Sequence, residues 1–127
     1  MSKIVINTKQ APAAIGPYSQ AIKTGNLLFV SGQIALNPET GNLETNTVEQ
    51  ETNRVMQNIK AILQTVNLDF ENIVKTTIFL KSMNDFATVN TVYASYFKSD
   101  FPARETVEVS RLPKDVSVEI SVIAEGK

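Results

Sequence analysis

Apolar residues along the chain recur with a period of about two in some stretches and about 3.6 in others, which separates strands from helices. Lys3-Ile4-Val5-Ile6-Asn7 is a short β-prone run. Ala11 to Pro17 follows as a loop, since its prolines and glycine deny it a helix. Tyr18 to Lys23 and Asn26 to Ser31 are strand-like runs around Thr24-Gly25, and the Gly25-Asn26 pair predicts a hairpin. Ser31-Gly32-Gln33 ends the second strand. A glycine there allows backbone to approach a ligand closely, but more often marks a bulge or bend. Asn37-Pro38-Glu39-Thr40-Gly41-Asn42 is a turn cluster.

Thr47-Val48-Glu49-Gln50 reads as a capping box, with Thr47 as the N-cap. Val48, Val55, Met56, Ile59, Ile62, Leu63 and Val66 then form one apolar stripe at helical period, and Asn67 can end that helix in a left-handed conformation. Ile73 to Lys81 alternates as a strand, with Phe79 interrupting its polar side. A second helix starts near Ser82 and Asp85, with Phe86, Val89, Asn90, Tyr93 and Phe97 on one face. Asn90 thus falls inside an apolar stripe, where an unpaired amide is costly. Either it bonds a loop carbonyl and pins that loop, or it contacts a ligand, and both can hold.

Phe101 to Asp115 reads as a strand clamped between prolines. Pro102 fixes its own φ and drives Phe101 out of the helical region, so the chain enters extended. From Thr106 to Ser110 the residues alternate, with Val107 and Val109 on one face. Arg104, Thr106, Glu108 and Ser110 share the other by parity, and Arg111-Leu112-Pro113-Lys114-Asp115 is a closing turn. The last strand runs from Val116 to Ala124, with Val116, Val118, Ile120 and Val122 facing one way and Ser117, Glu119, Ser121 and Ile123 the other.

The order is therefore β-β-β-α-β-α-β-β, an α+β domain spanning residues 1–127 without repeats or linkers. Two helices cover one sheet face, and Val107, Val109, Val118, Ile120 and Val122 supply more apolar strand surface than a monomer hides. An oligomer is expected. The composition, 43% hydrophobic and 20% charged, suits a globular chain. A net charge of −1 offers no footprint for a nucleic-acid backbone and argues against RNA cleavage. No apolar run reaches the roughly 20 residues of a membrane span. The N-terminus lacks a signal-peptide pattern, so a cytoplasmic protein is expected.

The chain has no cysteine and no histidine. Thiolate nucleophiles, Ser-His-Asp triads and the usual zinc ligands are thereby excluded. Carboxylates, Arg, Lys, Tyr, hydroxyls and backbone dipoles remain. Arg104, read from the residues alone, is a solvated arginine beside a proline turn; held at the mouth of a stiff strand, its planar fork suits a carboxylate. Glu119 is by default a solvated strand residue, and in a cleft it would be a candidate general base.

Gly16-Pro17-Tyr18-Ser19-Gln20, Ser31-Gly32-Gln33, Asn84 to Asn90, Pro102-Ala103-Arg104 and Arg111 to Asp115 together resemble the RidA/YjgF family of enamine/imine deaminases, nearly end to end. The resemblance implies a chorismate-mutase-like subunit with two helices on one face of a mixed sheet. It further implies a homotrimer with a central barrel and a cleft at each interface, with Arg104 and Asn90 not necessarily from one chain. The implied reaction is hydrolysis of 2-imino acids such as 2-iminobutanoate and 2-iminopropanoate, released by pyridoxal-phosphate-dependent dehydratases, with no cofactor or metal of its own. Arg104 would bind the substrate carboxylate with help from the Gly32 backbone, and Glu119 would activate water. Tyr18, Ser31 and Asn90 would line the cleft, with Thr106 a further substrate-binding position. Many relatives read Pro-Ala-Arg-Ser-Cys where this chain reads Pro102-Ala103-Arg104-Glu105-Thr106, so Thr106 stands where the thiol would be. Glu105 and Thr106 at the pocket motivate an alternative, a non-catalytic module that senses small 2-oxo or 2-imino acids.

Overall fold

The computed structural model describes residues 2–126. The chain runs β1 (Ile4–Ile6), β2 (Ala21–Thr24), β3 (Leu27–Gln33), α1 (Val48–Thr65), β4 (Ile73–Leu80), α2 (Phe86–Ala94), β5 (Ala103–Glu108) and β6 (Val118–Glu125), the order expected from its periodicity. The strands form one 6-stranded sheet ordered β1-β2-β3-β6-β4-β5. All pairings are antiparallel except β4 with β5, which run parallel because α2 carries the chain back across the sheet. No described helix is long and apolar enough to cross a membrane.

Local chemistry sets the ends of these elements. The Thr47 hydroxyl accepts from the Gln50 amide at 3.0 Å, but the Gln50 side chain reaches back to the amide of Asn46 rather than of Thr47. Asn67, with φ 61°, ends the helix as expected. The strand expected from Tyr18 begins only at Ala21, because Gly16 (φ 123°) and the Tyr18 N–H bond to the Gly16 carbonyl turn the chain. The last strand begins at Val118 rather than Val116, since Pro113–Asp115 form a single 3-10 turn with Lys114 and Asp115 at φ 55° and 56°.

Both helices pack on one face of the sheet. Val55, Met56, Ile59, Ile62 and Leu63 of α1 are buried in one cluster with Leu28, Ile78, Leu80, Val118, Ile120 and Val122. Each such side chain stabilises the fold by about 1.5–3 kcal/mol relative to exposure. Val118, Ile120 and Val122 are therefore covered by the chain's own helices and are not the surplus apolar surface expected of them. Parity puts a different set on the open face: Phe29, Phe79, Val107 and Ile123, mixed with Lys75, Thr77 and Ser121.

Asn58 is fully buried inside the apolar stripe of α1. Its amide donates to the carbonyls of Ile34 (3.1 Å) and Leu36 (3.0 Å), while its oxygen accepts from Nε (3.2 Å) and Nη2 (2.9 Å) of Arg54. Asn58→Leu would strand both carbonyls and the guanidinium, and should cost about 2–3 kcal/mol. The check is the urea unfolding midpoint at unchanged slope; a loss below about 0.5 kcal/mol, the range of bland surface changes, would contradict it.

Candidate functional site

Arg104 lies on the helix-covered face, because it pairs with Thr76 and Thr76 pairs with Val122, both buried. Its Nη1 donates to Oδ1 of Asn90 at 2.7 Å. Its Cζ lies 5.3 Å from the Tyr93 ring centroid and 5.7 Å from that of Phe86. The Tyr93 hydroxyl in turn donates to Oγ1 of Thr76 at 2.9 Å, and burial raises its pKa so that it stays neutral. The arginine is thus a half-buried, stacked group rather than a solvated one. Asn90 pins this guanidinium rather than a loop, and does so within one chain. Among the described residues no carboxylate pairs with Arg104. Its remaining donors face a cavity of about 420 Å³ lined by Asn90, Tyr93, Ala94, Phe101 and Pro102.

Glu119 lies on the opposite, open face, paired with Phe79 across β4. Its carboxylate leans over Gly32, where a Cβ would collide with it. The missing Cβ leaves room for that carboxylate, in the irregular part of β3 between Val30 and Gln33; a side chain there would displace Glu119 from this seat. Burial raises the Glu119 pKa above the ordinary 4.5, and among the described residues the carboxylate makes no hydrogen bond to oppose that shift. It borders a cavity of about 640 Å³ with Tyr18, Ser31, Gly32, Ile15 and Lys114. Ser31 shapes the wall: its Oγ donates to the Ser19 carbonyl at 2.6 Å and its N–H to that of Gln20 at 3.0 Å.

The expected site residues therefore fall into two groups, with Arg104 and Asn90 at one cavity and Tyr18, Ser31, Gly32 and Glu119 at the other. Thr106 joins neither lining. It shares the face of Arg104, and its Oγ1 is buried without a hydrogen-bond partner among the described residues. Glu105 points to the open face, where it pairs with Lys75 at 3.0 Å and accepts from the Thr77 hydroxyl. That hydroxyl, then Lys75, lowers its pKa. The expectation that Glu105 sits at the arginine's pocket is corrected by this parity.

Sequence reasoning missed three buried polar residues that bond backbone in or next to the lining of the larger cavity. Gln20 accepts from the Thr8 amide (2.7 Å) and donates to the Pro12 carbonyl (2.7 Å); Asn58 holds Ile34 and Leu36; Glu51 accepts from the Ser117 (2.7 Å) and Val118 (3.1 Å) amides. Glu51, Val55, Asn58 and Ile62 follow helical spacing, so the signal was present in the same stripe as the apolar residues. Chemically, one cavity offers a rigid cationic fork and the other a desolvated carboxylate suited to proton transfer.

A family model described as Endoribonuclease L-PSP matches residues 8–126. A RutC family protein of Pyrococcus abyssi is 53% identical over 124 residues, covering 98% of each chain. The 2-iminobutanoate/2-iminopropanoate deaminase of Escherichia coli K12 is 50% identical over 127 residues, again covering 98% of each. The crystal structure of E. coli TdcF with bound serine matches at a TM-score of 0.93 and 41% identity, covering 98% of this chain and 99% of that one.

The unpaired Thr106 hydroxyl costs about 1–3 kcal/mol, so Thr106→Val should raise Tm by about 3 °C or more in calorimetry without ligand. A lowered Tm would show that the hydroxyl has a partner.

Proposed function

The chain belongs to the RidA/YjgF family, and from that premise we propose that it is a hydrolytic deaminase of 2-imino acids, working in clefts shared between copies of the chain. The observation that carries this reading is the placement of Arg104 and Glu119. Each faces its own open cavity, on opposite sides of one sheet. A substrate small enough for Arg104 to grip cannot also meet Glu119 of the same chain. A second copy laid against the open face would cover Phe29, Phe79, Val107 and Ile123, and on this reading its Arg104 would reach the Glu119 side of the first. The family's homotrimer fits this need. The deaminase name of the E. coli relative and the serine held by TdcF support a small amino-acid-like substrate.

The chemistry needs nothing the chain lacks. Arg104 grips the carboxylate of a 2-imino acid, 2-iminobutanoate or 2-iminopropanoate, and the Gly32 backbone lines the opposite side. Orientation of this kind removes much of the barrier to addition. Water adds to C2 of the protonated imine while Glu119 takes one of its protons, leaving a carbinolamine. Glu119 returns that proton to nitrogen, the C–N bond breaks to release ammonia, and the hydroxyl's proton passes by way of Glu119 to that ammonia as the carbonyl forms. The products are the 2-oxo acid and ammonium. A carboxylate whose pKa is raised by burial is better matched to both proton transfers than an exposed one. Tyr18 and Ser31 wall the Glu119 side, Asn90 aims the guanidinium, and Thr106 lies on the same face of β5 as the arginine. Pyridoxal-phosphate-dependent dehydratases are the enzymes that release such imines.

The test is a coupled assay in which a dehydratase acts on threonine or serine and the imine is trapped with semicarbazide. Added protein should shorten the imine's lifetime, and Arg104→Ala should slow hydrolysis by about 100-fold or more. The acid limb of kcat/KM should lie above pH 4.5, because the base must be deprotonated in the free protein and its pKa there is raised. An imine lifetime unchanged by the protein would sink this reading. Calorimetric binding of 2-oxobutanoate without turnover would favour the sensing module instead.

A further inference from the structure

We propose that Glu51 is a positioning residue for Glu119, its carboxylate on α1 fixing the first residues of β6 and with them the seat of Glu119 over Gly32. The inference rests on the reading of Glu119 as the base. Glu51 is 1% exposed, and its carboxylate accepts from the Ser117 N–H at 2.7 Å and the Val118 N–H at 3.1 Å. Glu119 is the next residue. The segment before it is strained, and Glu51 holds it together with buried Val116 and Val118 and the backbone bond from Asp115 to Leu112. Lys114 and Asp115 are consecutive non-glycine residues in the left-handed region, at φ 55° and 56°, a conformation that persists only where its surroundings impose it. The ion pair between Lys81 and Asp115 is largely solvent-exposed and contributes little. The Lys81 N–H to the Ser117 carbonyl, 2.9 Å, ties the segment to the end of β4.

A buried carboxylate is an expensive choice for an anchor. Burial, and after the opposing backbone hydrogen bonds a smaller repulsion from Asp85, raises the Glu51 pKa. An apolar residue would avoid that cost but leave two amides unpaired beside the catalytic cavity. The carboxylate meets both at once from the most deeply packed helix. Glu119 is held on the far face of the same strand, so a shift of Ser117 or Val118 is transmitted to it through one residue of backbone.

Two variants separate positioning from mere support. Glu51→Ala removes both acceptors, whereas Glu51→Gln keeps an oxygen able to accept from both amides. Each is assayed where circular dichroism shows it folded, by steady-state kinetics and by carbon-13 NMR titration of the Glu119 carboxyl. For Glu51→Ala the expected result is a fall in kcat of about tenfold or more with KM nearly unchanged, as the carboxylate is misplaced. The Glu119 titration should move down towards 4.5 as that carboxylate gains solvent. Glu51→Gln should restore most of both. A folded Glu51→Ala with wild-type kcat overturns the proposal. So does a loss of kcat with the Glu119 titration unmoved, or a Gln variant as damaged as the Ala variant. Should Glu51→Ala not fold, Glu51→Asp, one methylene short of both amides, is read by the same criteria. If the wild type hydrolyses no imine, the deaminase reading fails, while the NMR titration still decides whether Glu51 positions Glu119.

Discussion

Side chains alternate across a β-strand, and this parity governs everything else in the molecule. Strand β4 sits between β6 and β5, so its residues transmit one face assignment to both neighbours. Thr76 ties Val122 and Arg104 to the helix-covered face, while Phe79 ties Glu119 and Val107 to the open one. A slip of one residue in either register would exchange the faces, burying a carboxylate under α2 or turning the guanidinium outward. Strong apolar burial at Ile78, Leu80, Val118 and Ile120 fixes the register against such a slip.

Given that parity, the cavities are preorganised mainly by side chains that bond to or pack on Arg104 and on the loops around Glu119. On the arginine side, the guanidinium lies over the rings of Phe86 and Tyr93 of α2, and Asn90 sets its rotation. On the glutamate side, Gln20, Asn58 and Glu51 use buried side chains to satisfy backbone groups of the loops that form the wall. Each such group would carry a penalty of about 1–3 kcal/mol if left unpaired, so these loops have few alternative conformations. The outcome is a firm wall around Glu119, whose own carboxylate is left without a protein partner among the described residues and is thereby free for chemistry.

The element order and the alternation of β6 were legible because they rest on periodicity, which the sequence displays directly. Val118 and Ile120 facing away from Glu119 follows from counting alone. What counting could not give was which face of the sheet the helices would cover. For that reason Val118 and Val122 were expected as surplus surface and proved to be core, while the open face belongs to Phe29 and Ile123. Tyr18 was expected in a strand because its β-propensity was visible and the turn at Gly16 was not weighed against it. The candidate residues themselves were legible through the family resemblance. Their separation into two cavities depends on long-range pairing, which no local pattern encodes. Glu51 and Asn58 were passed over because polar residues at apolar spacing read as interruptions, when burial makes them anchors.

The central claim is that a working cleft takes Arg104 from one copy and Glu119 from another. The direct measurement is activity of mixed assemblies made from Arg104→Ala and Glu119→Gln chains, unfolded together and refolded at equal amounts. Each variant alone is expected to be inactive. Random mixing places an intact arginine beside an intact glutamate in about a quarter of clefts in any closed ring, so about a quarter of wild-type imine hydrolysis should return. Mixing Arg104→Ala with Asn90→Ala gives no such return, because those two residues meet within one chain. Mixed Arg104→Ala and Glu119→Gln assemblies with no more activity than their parents would contradict the shared cleft.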